Sequence, residues 1–100
     1  MDLQTVKAVI MGHAVADALG VPVEFASRKE LDNVPVTEMQ GYGTYSMPKG
    51  SWSDDTSMVV CELEALAKYG LNYEQIMVNF GKWFLFCTSG FIVSINLQFV

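Results

Sequence analysis

Gly50-Ser51-Trp52-Ser53-Asp54-Asp55-Thr56-Ser57-Met58 is the stretch on which the reading of this chain turns. Two adjacent carboxylates stand between hydroxyl residues, and an apolar pattern of helical period follows at once. Met58, Cys61, Glu62, Ala65 and Leu66 recur at three- and four-residue spacing, as do Val59, Leu63 and Ala67. That period predicts a helix over 54–69, apolar most of the way round and therefore largely buried. Ser53 or Asp54 is its N-cap, and Gly70 closes it. Neighbouring carboxylates repel, so the pair needs compensation. A helix N-terminus supplies some positive potential and a bound cation supplies more. Ser53, Asp54, Asp55 and Thr56 offer only oxygen donors, which suit Mg²⁺, Mn²⁺ or Ca²⁺ rather than zinc or copper. An ordinary acidic helix cap accounts for the same residues, so the motif alone identifies no reaction.

Beyond Gly70, Asn72 and Gln75 form a second capping signature. They predict a helix over 73–86 that buries Ile76, Met77, Phe80, Trp83 and Phe84. Residues 83–100 carry no charge. They are long enough to consider as a membrane span, but Ser, Thr, Asn, Gln and Gly interrupt them and no basic residue flanks the far end. Burial against further chain is the favoured reading. A membrane tether and a shifted reading frame are its rivals.

Before the motif, Val6, Val9, Ile10, His13, Ala14 and Asp17 share one face of a helix predicted over 3–19. Gly20 stands at its C′ position and Pro22 stops it. His13 and Asp17 on an apolar face are costly unless they pair with each other or face a site. Val21 to Phe25 reads as an extended exit with Glu24 between apolar neighbours, either an exposed loop glutamate, which composition alone favours, or a carboxylate held near a pocket. Ser27 and Glu30 form a capping box for a short helix. Residues 40–45 read as a short extended or hairpin piece. Gly41-Tyr42-Gly43 is no dinucleotide fingerprint, since no strand precedes it and no helix follows directly.

The composition sets the outer bounds. One hundred residues make one domain at most, and 51% apolar with 17% charged residues describes a globular chain. A net charge of −5 argues against nucleic acid as the main partner. Cys61 and Cys87 show no zinc spacing, and Met1-Asp2-Leu3-Gln4 lacks the features of a signal peptide. Two reduced thiols in a cytoplasmic protein are the expectation.

Two motifs together carry a resemblance. Gly12-His13-Ala14-Val15-Ala16-Asp17-Ala18-Leu19-Gly20-Val21-Pro22-Val23-Glu24-Phe25 resembles the opening helix of the ADP-ribosylglycohydrolase family, which includes the enzyme that reactivates dinitrogenase reductase. Residues 50–58 resemble that family's metal motif, at the expected distance downstream. The likeness continues through Tyr73-Glu74-Gln75-Ile76-Met77 to about Trp83 and covers the N-terminal part of a family domain. It implies a compact all-α fold with a two-metal Mg²⁺ (or Mn²⁺) centre that hydrolyses the glycosidic bond of an ADP-ribosylated protein or of a small molecule containing ADP-ribose. By position, Ser53, Asp54 and Asp55 correspond to metal ligands and Glu24 to a catalytic carboxylate. Asp17 and Thr56 correspond to supporting residues. Ser53 stands where threonine is common and Ala16 where glycine is common, both mild departures. The family's second metal cluster, an Asp-x-Asp-Thr stretch, has no counterpart here. The expectations are therefore an all-α fold with a partial ADP-ribosylglycohydrolase-like domain at 1–86 and an apolar divergent tail at 87–100, inactive or nearly so by itself. The rival is a helical remnant without enzymatic activity, acting through protein–protein contact along its apolar tail.

Overall fold

The computed structural model describes residues 1–88, with side chains described as far as Leu85. The expected apolar tail at 87–100, with Cys87, thus lies almost wholly outside the described residues. Four α-helices follow one another: α1 (Leu3–Gly20), α2 (Arg28–Asn33), α3 (Asp54–Tyr69) and α4 (Tyr73–Thr88). Single 3₁₀ turns lie at Val21–Val23 and Gly43–Tyr45, and no strand occurs among the described residues. The fold is all-α, as the periodicity predicts. Packing divides the chain into a first unit, Met1–Thr56, and a second from Ser57 onward.

In the first unit, Asp2 caps α1: its Oδ1 accepts the Thr5 N–H at 2.8 Å. Val6, Ile10, Ala14 and Asp17 form a half-buried stripe that ends in buried Ala18 and Val21. Val9 and His13, expected on the same face, lie exposed at its rim. Gly20 is not a left-handed C′ residue. Its φ is −80°, and the chain runs directly into the tighter 3₁₀ turn, where Pro22 fits because its fixed φ suits the first turn of a helix. The expected extended exit over Val21 to Phe25 is thus a helical turn up to Val23. The left-handed conformation falls instead on Phe25, at φ +67°. By length and composition Leu3–Val23 could also cross a membrane, a test that core helices pass as well. Asp17, inside that span, is fully engaged with residues 53 and 56 of the first unit.

The Ser27–Glu30 capping box forms in full: Glu30 N–H donates to Ser27 Oγ and Ser27 N–H to Glu30 Oε2. Residues 40–47 make a hairpin-like turn with one bridge, in which Tyr42 N–H donates to the Met47 carbonyl. The Ser51 N–H then returns to the Pro48 carbonyl at 3.1 Å. Gly50 takes φ +86° in that turn, a value that favours glycine.

The described part of the second unit is a helical hairpin. Gly70, at φ +68°, ends α3, and Asn72 caps α4 by accepting the Gln75 N–H at 3.1 Å. Ala65 and Ile76 are its buried apolar residues. Asn79 Nδ2 donates to the Cys61 carbonyl at 2.9 Å, and Trp83 Nε1 donates to Ser57 Oγ at 2.8 Å. The inner stripe of α4 is thus Ile76, Asn79, Phe80 and Trp83, whereas Met77 and Phe84, expected inside, are exposed. Likewise α3 is half-buried rather than enclosed, and from Ala67 onward it is exposed. Among the described residues one partner helix covers one stripe of each surface, and Val59 and Leu63 of the second row stay half-buried. The Lys68–Glu64 ion pair at 2.7 Å is exposed and adds little.

Candidate active site

The centre of the site is the start of α3, and Asp17 of α1 holds it. The Asp17 carboxylate takes four hydrogen bonds. Oδ2 accepts the Ser53 N–H (2.9 Å), the Thr56 N–H (3.1 Å) and the Thr56 hydroxyl (2.6 Å). Oδ1 accepts the Ser53 hydroxyl at 2.7 Å. These backbone donors belong to the opening turn of a helix and have no partner within it. Asp17 therefore caps α3 from a different helix, and its charge lies where the helix dipole favours an anion. Partial burial works against that charge, but the bonds from Ser53 and Thr56 outweigh it and hold the carboxyl below its ordinary range. Of the two readings of His13 and Asp17, the pairing does not form: His13 is exposed and Asp17 lines the cleft.

Ser53 also caps locally, accepting the Asp55 N–H on Oγ at 3.2 Å. Thr56 is buried at 3% exposure, so its hydroxyl braces the turn from inside. The result is a first turn fixed at Ser53 and Thr56, with Asp54 and Asp55 exposed on it. Both line a cleft of about 410 Å³, together with Ala16, Asp17, Gly20, Val21, Glu24 and Ser53. The structure thus brings Asp17, Glu24, Ser53, Asp54 and Asp55 to one cleft. Thr56 stands behind its wall.

Glu24 reaches the cleft from the far end of the 3₁₀ turn, as an exposed side chain. Its neighbour is Tyr45, which the sequence pattern did not single out. Hydrogen bonding to the Glu24 carboxylate, some burial, and the charges of Glu24 and Asp54 together raise the Tyr45 phenol above its ordinary range. Thr44 is the other residue the sequence left unmarked: its hydroxyl meets the Glu24 carbonyl at 2.7 Å. No spacing rule connects positions 24 and 45, because both lie on irregular chain and only the fold apposes them.

As a cation site, the cleft supplies oxygen alone. Two carboxylates and the Ser53 hydroxyl suit a hard divalent ion such as Mg²⁺ or Mn²⁺ in donor chemistry. Asp17 is committed to the helix start and is not available as a ligand. No group of three or more His, Cys, Asp or Glu side chains able to hold a metal occurs among the described residues. The donor set fits such an ion but makes only part of its shell.

Comparison with known proteins identifies the family. Two curated relatives, both named ADP-ribosylarginine hydrolase Tri1, align over 68 residues, or 68% of this chain. The protein of Serratia proteamaculans (strain 568) is 37% identical, and that of Pseudomonas putida (strain GB-1) is 35% identical. The aligned part spans 18% of the length of each relative. No solved structure matches. The family model for ADP-ribosylglycohydrolase matches residues 2–94, nearly the whole sequence, and the chain belongs to the ADP-ribosylglycohydrolase family.

Proposed function

We propose that this chain forms the N-terminal wall of an ADP-ribosylarginine hydrolase centre that uses Mg²⁺ or Mn²⁺. One observation carries the reading: within the family-matched region, Glu24 and the Asp54–Asp55 pair line the same cleft, and Asp17 holds the turn that presents the pair. Ser53, Asp54 and Asp55 would hold the ion, which when bound supplies positive charge and orientation for ribose hydroxyls and water. Glu24 takes a proton from the attacking water as the water oxygen bonds to the anomeric carbon. The carbon–nitrogen bond to the arginine side chain breaks, its electron pair stays on the guanidine nitrogen, and that nitrogen takes up the proton that Glu24 accepted. The substrate class, an ADP-ribosylated arginine, comes from the names of the two relatives. Because the chain spans 18% of their length, these 100 residues hold part of the centre and turn over little substrate alone.

Calorimetric titration of the chain with MnCl₂ tests the reading. Wild type is expected to bind weakly, and the Asp54→Ala/Asp55→Ala double variant at least about tenfold more weakly still, since each carboxylate removed takes away charge and a ligand. Equal heats for the two proteins would overturn the metal assignment. Hydrolysis of an ADP-ribosylarginine peptide by the isolated chain is expected to remain near the rate in buffer, and turnover at ordinary enzyme rates would overturn the partial-centre assignment.

A further inference from the structure

Glu24 sits on irregular chain after a 3₁₀ turn, beside Phe25 in a left-handed conformation. An exposed carboxylate there would sample many positions unless something outside the segment fixed it. The Gly43–Tyr45 turn does so at three points. Gly43 lies directly on the Pro22 backbone, so close that a Cβ built there would stand 2.1 Å from the Pro22 carbonyl oxygen. The Thr44 hydroxyl reaches the carbonyl oxygens of both Pro22 (3.3 Å) and Glu24 (2.7 Å), and so ties the residue itself. The Tyr45 ring packs at a tilt against Phe25, the residue next to Glu24, with centroids 6.5 Å apart.

We propose that Thr44 and Tyr45 are positioning residues for Glu24: Thr44 fixes its backbone through the carbonyl, and the Tyr45 ring, packed on Phe25, fixes the segment on its other side. This rests on the reading of Glu24 as the proton acceptor, but it is a separate claim about what aims that acceptor. The division of labour follows from reach. A threonine hydroxyl is short and holds main chain here, whereas the tyrosine ring extends far enough to pack on the side chain of Phe25. A segment held on both sides of Glu24 limits where its carboxylate can go, without costing orientation each time water binds.

The experiment uses the chain itself and needs no turnover. With tyrosine labelled at ¹³Cζ, and Tyr45→Phe used to assign the Tyr45 signal, the ionisation of that phenol is followed by NMR. In wild type the Tyr45 midpoint lies above the ordinary phenol value, from the hydrogen bond and charge of Glu24. Glu24→Gln removes the charge without touching the Thr44 contacts, and the midpoint falls. Thr44→Val removes the tie to the carbonyl while leaving the Glu24 side chain intact, and it too lowers the midpoint, whereas Thr44→Ser retains the hydroxyl and the wild-type value. Circular dichroism checks that each variant is folded. An unchanged Tyr45 midpoint in Glu24→Gln overturns the Tyr45 contact. A Thr44→Ser variant that behaves like Thr44→Val, or a folded Thr44→Val that behaves like wild type, overturns the Thr44 tie. Neither result alters the manganese titration of Asp54 and Asp55, so failure here is distinct from failure of the metal assignment.

Discussion

Asp17→Ala is expected to lower the stability of the chain by about 3 kcal/mol, measured by urea denaturation followed by far-UV circular dichroism. The change deletes four hydrogen bonds to a charged acceptor at once. Each such bond is worth roughly 1.5–3 kcal/mol when its partners are buried, but Asp17 is only half-buried and water can take over part of the loss. The Thr56 hydroxyl cannot be rescued in this way, because the residue is 3% exposed. Asp17→Asn keeps the shape but not the charge and should lose about 2 kcal/mol. The pH dependence has a definite sign. Burial pushes the Asp17 carboxyl upward, the Ser53 and Thr56 bonds pull it further down, and its folded value lies below the ordinary 3.8. A carboxylate depressed on folding contributes stability that is fully present above its unfolded value and is lost as the pH falls through the folded one. The gap between wild type and Asp17→Asn is therefore expected to be widest at neutral pH and to narrow below about pH 3.8. A gap that stays constant down to pH 2 would mean that the Asp17 charge does not hold the start of α3. Manganese affinity should fall with the same substitution although Asp17 is no ligand, because the turn carrying Asp54 and Asp55 loses its anchor.

Gly43→Ala is expected to cost about 3 kcal/mol as well, for a reason unrelated to charge. Gly43 has φ +58°, where an alanine costs roughly 1–2 kcal/mol. The added Cβ would also stand 2.1 Å from the Pro22 carbonyl oxygen and 2.7 Å from its carbon. Those are backbone atoms that cannot rotate aside, so the turn must move off the segment carrying Glu24, at a further cost of about 1–3 kcal/mol. The same denaturation assay measures the loss, and the Tyr45 signal should report the detachment. Gly12→Ala is the control of opposite sign. Gly12 lies within α1 with nothing within 4 Å of the built Cβ, so alanine there should gain about 0.5–1 kcal/mol through helix propensity. If Gly43→Ala were as harmless as Gly12→Ala, the close contact between residues 22 and 43 would not exist in solution.

These two glycines mark where sequence reading reaches its limit. The long helices were readable because period and caps are local properties. Asn72, Ser27 with Glu30, and Gly70 all do what their positions predict. Gly20 also looked like a helix terminator, yet α1 runs through it into a 3₁₀ turn, because Pro22 fits that turn and nothing demands a left-handed residue until Phe25. The burial of α3 and α4 was overestimated for a related reason. An apolar residue says that burial would be favourable, not how much of it the fold provides, and Met77 and Phe84 stay largely exposed.

By itself, the sequence determined the all-α class, the family, and the run of oxygen donors at the start of α3, because helical period and a short contiguous motif need no knowledge of distant chain. Only the tertiary structure decided what Asp17 does. Read along its own helix, it could pair with His13 four residues away or face a site, and the pattern does not choose. In the folded chain, the unpaired N–H groups of another helix compete for the same carboxylate and win, since they offer two backbone donors and two hydroxyls together. The tie between Thr44, Tyr45 and Glu24 was likewise invisible beforehand. It joins two irregular segments about twenty residues apart, where no period operates and only the folded path of the backbone brings the groups within reach.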